Sequence, residues 1–94
     1  MTSPESHNQR RAHALAVLVM DILRQRTAAG ETVTLWTLNA AICDRYALHG
    51  AKRSAQYATT RRVVASLEAA GLVQSEKRWE NERYQKHIWP CSAN

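Results

Sequence analysis

Residues Gln56–Val73 read QYATTRRVVASLEAAGLV and decide how the chain folds. The β-branched and apolar residues of this stretch recur at spacings of three and four, at Thr60, Val63, Val64 and Leu67. That spacing places them on one side of a helix, which we predict from about Ser54 to Ala70. Gly71 ends the helix, because glycine tolerates the left-handed dihedrals common just past helix C-termini.

Two more helices are predicted before this stretch. In Gln9–Arg26 the apolar residues form one stripe, made of Ala12, Leu15, Leu18, Val19, Ile22 and Leu23. A short β-branched piece, Glu31–Thr34, precedes a helix over Leu35–Tyr46, for which Thr34 is the predicted N-cap. The inward-facing residues of that helix are predicted to be Leu35, Leu38 and Ile42, with Cys43 and Tyr46 as further candidates.

After Gly71 the apolar repeat shortens towards two residues. Leu72–Trp79 and Arg83–Trp89 predict two strands joined around Glu80–Glu82, and Pro90 ends the ribbon because it cannot donate a ladder hydrogen bond. The fold class is therefore mainly α with a small β-hairpin, three helices being covered by a two-stranded ribbon. We predict this domain over residues 9–90, with a disordered tail at 1–8 and a C-terminal tail at 91–94.

Length and composition limit the classes of function that the chain could have. The chain has 94 residues, 45% of them apolar, and its 13 Lys and Arg against 8 Asp and Glu give a formal charge of +5. One small domain of this charge favours a polyanionic partner. Its longest apolar run, Ala14–Met20, is too short to span a membrane. The two cysteines make no disulfide framework, so we expect reduced thiols and a cytoplasmic location.

The end of the third helix carries a resemblance to a known family. Leu67–Val73 reads LEAAGLV, and bacterial winged-helix regulators close their recognition helix with Leu-Glu-x-x-Gly-Leu-Val before the first wing strand. Val33–Leu38 is similar to the short strand and second-helix start of those proteins. The chain thus resembles a winged helix-turn-helix domain of the MarR-like and ArsR-like regulators, which implies DNA binding through the third helix.

One stretch departs from that family pattern. Ala47–Ala55 is longer than the tight turn that such proteins have between the second and third helices. Either the third helix begins early, near Ala51, or this stretch projects as a loop. The roles of Lys52 and Arg53 depend on which holds.

Helical geometry assigns the candidate DNA-binding face. With Leu67 at the centre of the core side, Ala58, Arg62 and Ala65 fall on the opposite side and Arg61 flanks them. Short alanines let a helix approach a groove closely, and the arginines reach phosphates or guanine edges. The candidate residues on or near this helix are Lys52, Arg53, Ser54, Gln56, Tyr57, Thr59, Arg61 and Arg62. Residues 45–62 contain five positive charges and no acidic residue.

The ribbon contains both basic and acidic residues near its predicted turn. Arg78 and Arg83 are candidates for the DNA backbone, but Glu80 and Glu82 in the predicted turn would repel phosphates. Cross-strand ion pairs on a solvated hairpin are an equally good reading of these charges. The tryptophans Trp36, Trp79 and Trp89 are expected to pack in the core or at an interface.

Catalytic and metal chemistry are not expected. There is no CxxC or HxxxH pair, no nucleophile motif and no glycine-rich phosphate loop, so we predict no enzyme activity, no metal and no cofactor. Cys43 is expected to act as a small buried hydrophobe.

The function expected from these residues is sequence-specific binding of double-stranded DNA by a small transcriptional repressor or regulator. Helix Ser54–Ala70 would lie in the major groove. A homodimer is expected because Val17, Val19 and Leu23 exceed what so small a core can bury. Two alternatives stay open: a winged-helix module that binds a protein partner, such as a phage or plasmid inhibitor of a host complex, and an architectural or recombination factor.

Overall fold

The computed structural model describes residues 7–91 and consists of helices with a three-stranded antiparallel sheet packed against them. The elements are α1 (His7–Ala28), β1 (Val33–Thr34), α2 (Leu35–Arg45), α3 (Ala51–Ala69), β2 (Val73–Glu80) and β3 (Arg83–Pro90). The predicted order and the mainly α class are confirmed. The predicted tails at 1–8 and 91–94 lie outside the described residues except at His7 and Asn8, which begin α1, and at Cys91.

The start of α2 is set by a reciprocal pair of threonines. The Thr34 hydroxyl accepts a hydrogen bond from the Thr37 amide at 3.1 Å, and the Thr34 amide donates to the Thr37 hydroxyl at 2.9 Å. Each bond satisfies an amide that the helix itself leaves unpaired, so the predicted N-cap is confirmed as half of a capping box. At the other end, α2 stops at Arg45 and leaves Tyr46 exposed, so Tyr46 is not an inward residue.

Helix α3 begins at Ala51, three residues before the predicted start at Ser54. Its N-cap is Gly50, whose φ of 61° lies in the left-handed region that glycine adopts readily. The chain between α2 and α3 is thus a short link rather than a projecting loop. Lys52 and Arg53 consequently belong to the first turn of α3.

The hairpin is part of a larger sheet than the sequence predicted. Strand β3 pairs with β2 over its whole length and also with the two-residue strand β1, where Val33 lies opposite Ile88. The turn between β2 and β3 contains only Asn81 and Glu82, both left-handed at φ 52° and 64°. Glu80 belongs to β2, so its predicted place in the turn is wrong.

The core lies between the three helices and the inner face of the sheet. Its fully buried side chains include Val19, Leu23, Leu38, Ile42, Cys43, Val64 and Ile88. The prediction for Cys43 is confirmed. The expectation that Val19 and Leu23 exceed the core is wrong, and Val17 alone of that trio is exposed, at 49%. Of the two places expected for the tryptophans, the core is wrong for Trp36 and Trp79, which are 71% and 63% exposed, and an interface stays a prediction.

A buried polar network fixes α3 against α2. The Thr60 hydroxyl donates to Asn39 Oδ1 at 2.9 Å and accepts from Gln56 Nε2 at 3.2 Å, while Asn39 Nδ2 donates to the Arg53 carbonyl at 3.4 Å. Asn39 and Thr60 are both buried. Because buried hydrogen-bonding groups are costly to leave unpaired, this network favours one arrangement of the two helices.

Candidate nucleic-acid interface

The solvent-facing side of α3 consists of short side chains around one arginine. Its exposed residues at helical spacing are Ala51, Ala55, Ala58, Arg62, Ala65 and Ala69. No element described in the structure covers the alanines of this side, and Arg62 lies at its edge nearest α1, where it lines a cavity that also reaches Leu67. The α3 backbone is therefore open to close approach by a large partner, as the sequence predicts.

Arg61 lies on a different flank of α3, facing the hairpin. It lines a cavity of about 470 Å³, which we call the hairpin groove. The groove is bounded by the start of α2, by α3 and by the hairpin, through Thr34, Leu35, Trp36, Tyr57, Arg61, Lys77, Arg83, Tyr84, Gln85 and Lys86. Four of these side chains are basic, and none is acidic. The sequence-predicted residues Tyr57, Arg61 and Arg83 are thus brought together here.

Contacts with α3 orient the hairpin. The Ser75 hydroxyl donates to Glu68 Oε2 of α3 at 2.9 Å, and Lys86 Nζ lies 3.6 Å from Glu68 Oε1. Side chains alternate along a strand, and Ser75 lies opposite Ile88 of the core. Lys77 shares this helix-facing side with Lys86, so both cations belong to the groove that contains Arg61.

Arg62 faces the other side of α3, toward α1. It lines a second cavity of about 620 Å³, which we call the α1 groove, together with Arg11, Gln56, Thr59 and residues of the α2–α3 link. A smaller cavity continues from it along α1 and α3 and shares Ala12, Thr59 and Arg62. Gln56 and Thr59, two predicted site residues, therefore accompany Arg62 rather than Arg61.

Arg61 and Arg62 have no ion pair with any residue of the described range. Lys77 and Arg83 in the hairpin groove are likewise without a carboxylate partner in that range. Such uncompensated charges attract an anion more strongly than paired ones. These four cations, on α3 and along the hairpin groove, are therefore free to bind an anion.

Arg53 is engaged within the protein. Its guanidinium Nη1 donates to Asp44 Oδ1 at 3.1 Å and to the Leu48 carbonyl at 3.2 Å, so it ties the end of α2 and the link to α3. Its neighbour Lys52 is exposed on the first turn of α3. Ser54 is also exposed and lines a small cavity with Trp36 and Tyr57.

Arg78 lies away from the hairpin groove. It forms an ion pair with Glu76 at 3.2 Å along the same strand, and alternation puts both on the side of β2 opposite Ser75 and Lys77. This pair runs along one strand, and the cross-strand contact that the hairpin forms is instead that of Glu80 with His87.

The acidic hairpin tip is smaller than predicted. The Glu80 carboxylate bonds to the imidazole Nε2 of the buried His87. Glu82 is then the carboxylate that remains in the turn. Fewer carboxylates than predicted therefore lie in the turn itself.

Sequence reasoning missed Lys77, Lys86 and Trp36 as groove residues. The signal for Lys86 was present, because Tyr84, Lys86 and Ile88 share one side of their strand and the apolar Ile88 marks that side as the one facing the helices. Trp36 gives no such signal, since it stands between Leu35 and Thr37 at the first turn of a helix. It packs against Tyr57 with ring centroids 6.0 Å apart.

Metal-binding groups and disulfides are a further question for the part of the chain that the structure describes. There, no group of three or more His, Cys, Asp or Glu is placed to hold a metal ion, and both cysteines are free. None of the described helices is long and apolar enough to cross a lipid bilayer. Comparison with protein-family models, with curated proteins and with solved structures gave no match.

Proposed function

We propose that this protein binds double-stranded DNA by inserting the exposed face of α3 into the major groove. The observation that carries the proposal is the pair of uncompensated arginines, Arg61 and Arg62, on a helix that exposes five alanines beside them. The major groove of B-DNA is wide enough to admit an α-helix. Small side chains let the helix axis come close to the base edges.

The two arginines take different parts in this arrangement. Arg62, exposed at the α1-facing edge of this face, is the candidate for a base edge, where a guanidinium can donate two hydrogen bonds to guanine. Arg61 faces the groove that also contains Lys77 and Arg83, and this cluster is the candidate for phosphates beside the groove. Lys52, on the first turn of α3, is a further phosphate candidate. We leave Arg53 and Arg78 out, because Asp44 and Glu76 already pair with them.

The architecture supports a winged helix-turn-helix with the β2–β3 hairpin as its wing. The hairpin follows α3 after three residues, and α2 and α3 are joined by a short link. Such a domain fits a small transcriptional repressor or regulator that acts in the cytoplasm without a cofactor, as a binding protein rather than an enzyme. A homodimer would place two α3 helices on successive turns of DNA. Val17 of α1 is exposed and could contribute to such a dimer, whereas Val19 and Leu23 are buried in the core.

A second candidate function is a module that binds a protein partner. Trp36 and Trp79 favour it, because both are largely exposed, and exposed tryptophans are typical anchors of protein interfaces. The cations around the hairpin groove favour DNA instead.

Selection of bound duplexes from a random pool tests the proposal. We expect enrichment of a defined sequence, and an affinity that falls steeply between about 50 and 200 mM salt because bound phosphates release counterions. An enriched palindrome would support a homodimer. Absence of enrichment, together with affinity that does not change with salt, would refute DNA binding and favour the protein-binding module.

A further inference from the structure

The hairpin groove contains aromatic surface that duplex binding does not use. On its helix side, Trp36 of α2 and Tyr57 of α3 pack together at an interplanar angle of 51°. On its hairpin side stands Tyr84, whose ring is packed edge-on against Trp79 at 4.8 Å. Aromatic rings thus flank the cavity from two separate walls.

These rings are open to solvent. Trp36 is 71% exposed and Tyr84 is 67% exposed, although both have apolar rings large enough to contribute to a core. Exposed aromatic faces stack on nucleic-acid bases. In a duplex, each base is already stacked between its neighbours, so its flat face is not available. An unpaired base has that face free.

The cations of the groove fit the same ligand. Arg61, Lys77 and Arg83 line the cavity beside the rings and have no carboxylate partner in the described range. A strand of unpaired DNA carries a phosphate beside every base, so it needs aromatic and cationic groups close together. The volume of about 470 Å³ falls within the roughly 300–1,000 Å³ of cavities that hold small ligands.

We propose that the hairpin groove binds unpaired DNA, with bases stacking on Trp36 and Tyr84 and phosphates held by Arg61, Lys77 and Arg83. This site shares the cations of the hairpin groove with the proposed duplex contacts and differs from them in its aromatic rings, which take an unpaired base. The protein would therefore prefer a duplex with a single-stranded tail or an opened segment over a fully paired one.

The test compares three labelled probes by fluorescence anisotropy with the full chain: a twelve-nucleotide oligothymidylate, a blunt duplex, and the same duplex with an oligothymidylate tail. Thymidylate is chosen because it does not pair with itself. The variants are Trp36→Ala, Tyr84→Ala and the conservative Trp36→Phe. Tyr46→Ala is the matched control, since Tyr46 is an exposed aromatic that lines the α1 groove instead. Circular dichroism melting of every variant checks that each is folded.

We expect the tail to strengthen binding of the unsubstituted protein. Trp36→Ala and Tyr84→Ala should each weaken oligothymidylate binding by about tenfold, the usual loss on removing one stacking ring. Trp36→Phe should retain most of the affinity but lose the quenching of tryptophan fluorescence that a stacked base causes. Tyr46→Ala should bind like the unsubstituted protein.

The outcomes separate this proposal from duplex binding. If the blunt duplex binds but the tail adds nothing, or if Tyr46→Ala loses as much as Trp36→Ala, the unpaired-DNA site is refuted and duplex binding stands. If oligothymidylate binds with the expected dependence on Trp36 and the blunt duplex does not bind, the unpaired-DNA site stands and duplex binding is refuted. If folded Trp36→Ala and Tyr84→Ala bind all three probes as tightly as the unsubstituted protein, the site is refuted. The exposed rings would then be candidates for contact with a protein partner.

Discussion

Arg61 and Arg62 are consecutive in sequence and face different grooves of the molecule. Arg61 lines the hairpin groove with Lys77 and Arg83, and Arg62 lines the α1 groove with Arg11 and Thr59. The separation follows from the helix, which turns by about 100° per residue. A partner that contacts both arginines must therefore lie across the exposed side of α3 between them.

This separation predicts different behaviour of the two single variants. Arg62→Ala should weaken duplex binding and relax sequence preference at one position, because a base-edge contact is lost. Arg61→Ala should weaken binding to all duplexes alike. It should reduce the slope of log Kd against log salt concentration by about the amount that one phosphate contact contributes. It should also weaken oligothymidylate binding, which Arg62→Ala should leave intact. Anisotropy titrations at several salt concentrations measure these effects, and identical changes in the two variants would contradict the separate roles.

Arg53 is predicted to stabilise the α2–α3 link rather than to bind DNA. Arg53→Ala removes an ion pair with Asp44 and a hydrogen bond to the Leu48 carbonyl, so unfolding free energy should fall by about 1 kcal/mol. Asp44→Ala should cost less, since the Leu48 bond remains. Urea unfolding measures both. Duplex affinity of Arg53→Ala should match that of Arg24→Ala, which removes an exposed arginine of α1, and a much larger loss would place Arg53 at the DNA.

The buried Thr60 of α3 should contribute more to the free energy of unfolding than the adjacent Thr59. Thr60→Val leaves Asn39 Oδ1 buried without its donor, which costs about 1–3 kcal/mol. Thr59→Val on the same helix removes a hydroxyl from a half-buried position in the α1 groove and should stay within about 0.5 kcal/mol. Urea unfolding of the two variants measures the difference. Equal losses would mean that the Asn39 contact contributes nothing.

Glu82 should lower both the stability of the protein and its affinity for DNA. Its backbone conformation is strained, and its carboxylate repels phosphates. Its φ of 64° is strained for any residue with a Cβ, so Glu82→Gly should raise the unfolding free energy by about 1 kcal/mol. The substitution also removes the carboxylate in the hairpin turn and should strengthen duplex binding. Glu82→Gln is the control, because it removes the charge and keeps the strain. It should improve affinity without improving stability, and improved stability in both variants would show that charge rather than backbone strain is the cause.

The parts of this fold that depend on local spacing could be predicted from the sequence. Thr34 at the start of α2 and the buried side of α3 at Thr60 and Leu67 follow from capping chemistry and helical periodicity alone. The early start of α3 was one of two open alternatives, because residues 47–55 contain no decisive stop signal other than Gly50.

The remaining features of the site depend on contacts between residues that are not at a regular spacing in the sequence. Arg53 meets Asp44 only because of how the link between the helices turns, and Glu80 meets His87 across the hairpin. Neither pairing has a signature in spacing, so both Arg53 and Glu80 were assigned by charge alone. Trp36 is expected in the core or at an interface because of its place on a helix, and its exposure depends on the neighbouring Leu35 taking the core position.

The most direct test of DNA binding by α3 compares two double variants that each remove two positive charges. Arg61→Ala/Arg62→Ala changes the exposed side of α3, and Arg10→Ala/Arg24→Ala changes exposed arginines of α1. The measurement is the Kd for a selected duplex, with thermal melting to confirm that both variants are folded. We expect the α3 variant to lose about a hundredfold in affinity, since each contact contributes about 1–3 kcal/mol, and the α1 variant to change little. Retention of duplex affinity in folded Arg61→Ala/Arg62→Ala, or an equal loss in both variants, would contradict the account.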